Sequence, residues 1–192
     1  VLSVLILLLA GSLWGVAEIL PVSTALHCAF GALILLAARV AVPYVGTSLL
    51  IGLVVCMFKT ASATFMVCQW TGVLSLTVSF EIMHALFRSR MSTETGRAVV
   101  IGAGTCLLAL PVFTGWITLV AAHPYWIEGG WVRIGTYALT TTAPAMLAGM
   151  LLAPLGIRLE NALVASDIAV RPPAYWFGGM VLVATWSIAL LT

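Results

Sequence analysis

The chain has 192 residues, 62% of them apolar and 7% charged, with a mean hydropathy of +1.18. A soluble domain carries roughly 25% charged residues on its surface, so eight Lys and Arg with six Asp and Glu exclude a soluble enzyme or a disordered chain. The formal charge of +2 is too small and too scattered for a nucleic-acid face, which leaves an integral membrane protein whose solvent is lipid.

Backbone groups in lipid must pair internally, so long apolar runs without alternation read as helices. The expected fold is all-α: one integral membrane domain over residues 1–192, a polytopic bundle of six to seven spanning helices. Breaks at Pro21-Val22-Ser23, Pro43 to Gly46, Cys68-Gln69-Trp70, Arg88 to Arg97, His123 to Gly130 and Pro154 to Pro173 punctuate the chain. They leave helices near 1–20, 24–42, 46–67, 70–88, 97–122, 131–153 and 175–192. In Gly156 to Val164 polar and apolar residues mix at helical spacing, the pattern of an interfacial helix or an ordered loop. Pro111 and Pro144 predict kinks in the fifth and sixth helices.

Charge sets the expected orientation. Arg39, then Arg88, Arg90 and Arg97, then Arg158 and Arg171 fall in alternate connections, with Arg133 near the opposite side. The positive-inside rule puts those connections and the N-terminus in the cytoplasm of a multi-pass cell-membrane protein. Trp14, Trp70, Trp126 and Trp131 would then form an external aromatic belt. Cys28, Cys56, Cys68 and Cys106 lack Cys-x-x-Cys spacing and read as buried free thiols.

Ionisable groups inside hydrocarbon are costly and default to a functional hypothesis. Glu18, His27, Lys59, Glu81 and His84 form that set. Counted at about 1.5 Å per residue, Lys59 lies roughly 12 Å and Glu81 roughly 18 Å below the external surface. Lys59 then falls between Glu18 and Glu81. Two arrangements follow: a plain Lys59–Glu81 pair between helices 3 and 4, or an outward-opening cavity floored by Glu81 and Lys59 and rimmed by Glu18 and His27. Glu81 and His84 have the i, i+3 spacing of helix-bundle metal sites. Such sites need a second copy and more carboxylates, and no metal, haem or other cofactor is expected. Gly11 and Gly15 make a small-xxx-small stripe that lets a helix approach, either within the chain or from a partner.

Leu13 to Ile19, His27, Leu49 to Lys59 and the helix holding Glu81 resemble the substrate-binding (S) components of energy-coupling-factor transporters. The resemblance covers roughly residues 10–90. It implies a six-helix bacterial inner-membrane protein that captures a vitamin or metal ion from outside. Gly11 and Gly15 would dock it on a coupling subunit driven by partner ATPases. Glu18, His27, Lys59, Glu81 and His84 are the candidate ligand contacts. A seventh helix at 175–192 departs from that pattern.

Glu18-Ile19-Leu20-Pro21-Val22-Ser23-Thr24-Ala25-Leu26-His27 resembles the Glu-Phe-Leu-Pro-(Ile/Val)-Ser-Ser-Thr-Gly-His motif of undecaprenyl-pyrophosphate phosphatases. That family attacks a phosphate with carboxylate, hydroxyl and His groups while basic residues hold the diphosphate. Here one Ser is missing, Ala25-Leu26 replaces the Gly, and the family's Pro-Gly-x-Ser-Arg-Ser motif is absent.

The leading expectation is a non-catalytic substrate-capture subunit for a small vitamin-like molecule or ion. Its partners would be the lipid bilayer, other membrane subunits and that ligand, with no nucleic acid. A polyprenyl-diphosphate phosphatase and a structural subunit of a larger membrane complex are the alternatives.

Overall fold

A computed structural model describes residues 2–17, 24–42, 44–61, 67–89 and 93–165. Among them all regular structure is helical, with no strand. The helices are α1 (Leu2–Ala17), α2 (Thr24–Ala41), α3 (Thr47–Ala61), α4 (Val67–Phe87), α5 (Glu94–Gly115), α6 (Pro124–Tyr137) and α7 (Ala143–Ala165). The expected helix at 175–192 and the turn at Pro21 lie outside the described residues.

Two π-helical turns make the later rods continuous. Trp116–Val120 extends α5, and Ala138–Thr142 joins α6 to α7. The second turn has a local cause. Pro144 has no N–H for the Thr140 carbonyl, and its ring would press on that oxygen in a regular helix. Widening the preceding turn relieves the conflict, and the Ala143 N–H donates five residues back, to the Ala138 carbonyl.

Among the described residues three helices are long and apolar enough to cross a membrane: Cys68–Phe87, Glu94–Val120 and Pro124–Arg158. The apolar stretches Ile6–Gly15, Thr24–Arg39 and Thr47–Thr60 are shorter. The outward faces suit lipid. Leu119, Trp131, Val132, Leu139 and Leu151 are each 75% exposed or more, a density of bare apolar side chains that water does not tolerate.

Close crossings depend on small residues. A Cβ on Gly11 would lie 2.6 Å from Val54 Cβ, and one on Gly15 2.7 Å from Phe58 Cγ. The glycine stripe of α1 therefore seats against α3 within the chain. A Cβ on Gly31 would meet Trp14 Cζ2 at 2.5 Å, so Trp14 fills a notch in α2 and is buried rather than standing in an interfacial belt. Trp126 is buried as well, while Trp131 is exposed as a belt residue would be.

Several helix boundaries differ from the sequence reading, and the expected break at Cys68-Gln69-Trp70 lies inside α4, which begins at Val67. The segment His123–Gly130, expected as an external turn, is largely helical from Pro124. Gly130 alone breaks it, with φ 50° and ψ −150°, a conformation essentially restricted to glycine. At the other end α7 runs through Pro154 to Ala165 instead of stopping at 153. The lost N–H of a proline is tolerated better in lipid-embedded helices than in soluble ones.

Candidate functional site

The helix ends gather the polar residues into two separate groups. At one end Arg39, near the C-terminus of α2, is buried and aims its guanidinium at Glu81 on α4. Arg39 Nη1 lies 3.3 Å from Glu81 Oε1, and the same oxygen accepts the Ser48 N–H at 3.1 Å. Arg39 Nη1 also donates to the Tyr44 carbonyl, and the Thr47 hydroxyl donates to the carbonyls of Val42 and Tyr44. Glu81 thus ties α4 to the start of α3 and to the α2–α3 turn. His84 lies one turn further along, stacked on Phe80 with ring centroids 6.0 Å apart.

This overturns the expected Lys59–Glu81 pair. Glu81 sits beside Ser48, and Lys59 is eleven residues further along α3, about 16 Å away on the helix axis. The sequence reading ran helix 3 to residue 67, and residues 62–66 lie outside the described residues. The Ser48–Glu81 contact sets α3 (Thr47–Ala61) against α4 so that Lys59 falls toward the opposite end of the bundle.

There Lys59 is buried and lines a cavity of about 890 Å³. Thr24, His27 and Cys28 from the first turns of α2 join it, with Cys68 and Gln69 from α4. Helical spacing explains the grouping of Thr24, His27 and Cys28, since residues three and four apart share a face. The remaining wall includes Trp14, Phe113, Tyr125, Trp126 and Tyr137, with Thr141 and Thr142 from the π turn. Of the five ionisable residues singled out from sequence, His27 and Lys59 line the cavity, while Glu81 and His84 are absent from its lining. Glu18 lies outside the described residues; Trp14 and Thr24, on either side of it in sequence, both line the cavity.

Sequence reasoning missed Gln69, His123 and the aromatic wall. His123, assigned to an external loop, lines the cavity, and its Nδ1 is buried with no hydrogen-bond partner among the described residues. The Gln69 Oε1 is in the same position. Each lacks a partner among the described residues and could take one from a ligand or from water, because leaving such an atom unpaired is costly. No group of three or more His, Cys, Asp or Glu side chains suited to a metal ion occurs among the described residues. Cys28, Cys56, Cys68 and Cys106 are not joined in disulfides.

Comparison with protein-family models, with curated proteins and with solved structures finds no match. The chemistry of the cavity therefore carries the functional argument.

Proposed function

We propose that the chain is a membrane-embedded phosphatase that releases inorganic phosphate from a prenyl diphosphate. The observation that supports it is the company His27 keeps: Thr24, His27 and Lys59 share one cavity whose remaining wall is largely apolar and aromatic. A diphosphate needs a fixed cation, a phosphoryl transfer needs a proton acceptor, and a prenyl chain needs an apolar wall. The resemblance of Glu18 to His27 to the polyprenyl-diphosphate phosphatase motif points the same way, with Glu18 and Ser23 as the further groups it implies.

In this reading a water oxygen bonds to the terminal phosphorus as the bond from that phosphorus to the bridging oxygen breaks. The bridging oxygen keeps the electron pair and leaves on the prenyl monophosphate. His27 takes the proton of the attacking water, and Lys59 neutralises charge on the phosphoryl oxygens. Burial raises the value of that lysine, because a fixed charge acts more strongly where water is excluded.

The substrate-capture reading has less beneath it. Two of its contacts, Glu81 and His84, are outside the cavity lining, and its docking glycines are occupied by Val54 and Phe58. We also read the chain as multi-pass, with the basic end in the cytoplasm and the cavity end external.

The test is phosphate release by the purified full chain from farnesyl diphosphate in detergent micelles. Wild-type protein should release phosphate. His27→Ala and Lys59→Ala should each cut the rate by about 100-fold or more, the usual range for a general base or a charge-stabilising group. A wild-type protein inactive across magnesium, manganese and calcium would overturn the phosphatase reading, and binding of a vitamin would then favour the capture subunit.

A further inference from the structure

Beside the cationic part of the cavity, three rings form a packed array. Phe113 of α5 meets Trp126 edge-on at 5.1 Å and stacks on Tyr137 at 5.7 Å between centroids. Trp126 meets Tyr137 edge-on at 5.3 Å. Phe113 and Trp126, with Ile117, make a small buried cluster separate from the main core. The array is assembled by irregular backbone. The break at Gly130 separates Trp126 from Tyr137, the π turn Trp116–Val120 follows Phe113, and the π turn Ala138–Thr142 follows Tyr137. The π turn Ala138–Thr142 has its local cause in Pro144, whereas the Gly130 conformation, nearly closed to other residues, is the kind of irregularity that gathers at functional sites.

Lys59 of α3 and His27 of α2 line the same cavity as Phe113 of α5 and Trp126 and Tyr137 of α6, with Trp14, His123, Thr141 and Thr142 completing the mixed wall. An amphiphile with an anionic head and a hydrocarbon chain matches an ammonium and a packed aromatic array held in one cavity. Its size sets a limit. Pockets of about 300–1,000 Å³ enclose a drug-sized ligand, so about 890 Å³ accommodates a head group and a few isoprene units, with the rest of a long chain outside.

We infer that Phe113, Trp126 and Tyr137 form a subsite for the first isoprene units of a prenyl phosphate, with the head group at Lys59 and His27. The identity of the head group rests on the phosphatase reading; the subsite itself is a statement about binding. Aromatic side chains bury large areas and lose little conformational freedom on contact, so each added isoprene unit gains affinity until the wall is covered. Chain length beyond that point adds little.

Equilibrium binding to the full chain in a fixed amount of detergent tests this, with farnesyl monophosphate, isopentenyl monophosphate and inorganic phosphate as probes. Farnesyl monophosphate should bind about tenfold tighter or more than isopentenyl monophosphate, a difference of about 1.4 kcal/mol. Phe113→Leu and Tyr137→Leu, which keep bulk but remove the ring, should shrink that ratio to about threefold or less while leaving inorganic phosphate binding unchanged. Tyr137 is only half-buried, so its variant is the one expected to keep the fold if Phe113→Leu does not. Lys59→Ala should weaken both monophosphates by the same factor. A wild-type ratio near one, or an undiminished ratio in a folded Tyr137→Leu protein, overturns the subsite. Tight farnesyl monophosphate binding without phosphate release from farnesyl diphosphate overturns the phosphatase reading and sustains the subsite. Release from five-carbon and fifteen-carbon diphosphates at equal KM does the reverse.

Discussion

Arg39 and Glu81 show what one buried ion pair does in this fold. Their side chains are 5% and 16% exposed, and Glu81 Oε1 also holds the Ser48 N–H. Removing the carboxylate strands a buried guanidinium and a backbone donor together, and breaking a buried pair costs about 3–5 kcal/mol. Glu81→Ala should therefore lower the melting temperature strongly. Glu81→Gln keeps an acceptor for both donors and should fall between Ala and wild type. Because the pair is remote from the cavity, phosphate release by whatever fraction of Glu81→Gln stays folded should match wild type. A Glu81→Gln protein that melts normally but loses activity would return Glu81 to the site. Charge in an apolar run is conspicuous without a structure, yet the structure divides the four described residues of the ionisable set, His27 and Lys59 lining the cavity and Glu81 and His84 standing outside its lining. Their partners were not legible. Arg39 had been placed with the basic connections, and the depth of Lys59 relative to Glu81 depended on the register of α3 against α4, which the Ser48–Glu81 contact sets and no spacing in the sequence carries. His123 and Gln69 carried no signal beyond their polarity.

Between elements, contact is set by where side chains are absent. Gly15 faces Phe58, which is fully buried and has no solvent-side space to swing into. Gly15→Ala would put a Cβ 2.7 Å from the Phe58 ring carbon, and overpacking of this sort costs about 1–3 kcal/mol. The isolated chain in detergent should then melt earlier, with no partner protein present. A Gly15→Ala chain that melts like wild type, yet fails to co-purify with another membrane subunit, would restore the docking role read from the sequence. The small-xxx-small spacing showed that a helix approaches there; it carried no information on which helix. Prolines were similarly half legible. A kink was expected around Pro144, and the structure relieves the proline by a π turn that keeps the rod continuous into α7. The sixth helix, expected from 131, begins at Pro124 with Gly130 as a kink inside it, and the helical residues from Pro124 to Gly129 were hidden by Pro, Gly and Glu in a short segment.

At the scale of the whole molecule, charge and cavity occupy opposite ends. Arg39 meets Glu81 near the end of α4, Arg97 donates to the Arg88 carbonyl just beyond it, and Gly156, two residues before Arg158, packs near Leu33 and Leu36 of α2. Four of the described arginines thus gather at one end. The cavity, with Lys59 and His123, lies at the other, where Arg133 stacks over the Tyr125 ring at 3.7 Å. Lys and Arg in short connections are retained on the cytoplasmic side during insertion, so this asymmetry predicts the sidedness of the site. The check is single-cysteine labelling in a chain whose four native cysteines are replaced by Ala, with cysteine placed at Ser89 or at Glu128, both exposed. A membrane-impermeant maleimide should label position 128 on intact cells and position 89 only after permeabilisation. The opposite pattern would turn the molecule over and make the cavity face the cytoplasm. Under the proposed function the prenyl diphosphate would then be met there, and the inferred subsite at Phe113, Trp126 and Tyr137 would stand unchanged, because a bilayer offers the same hydrocarbon from either leaflet.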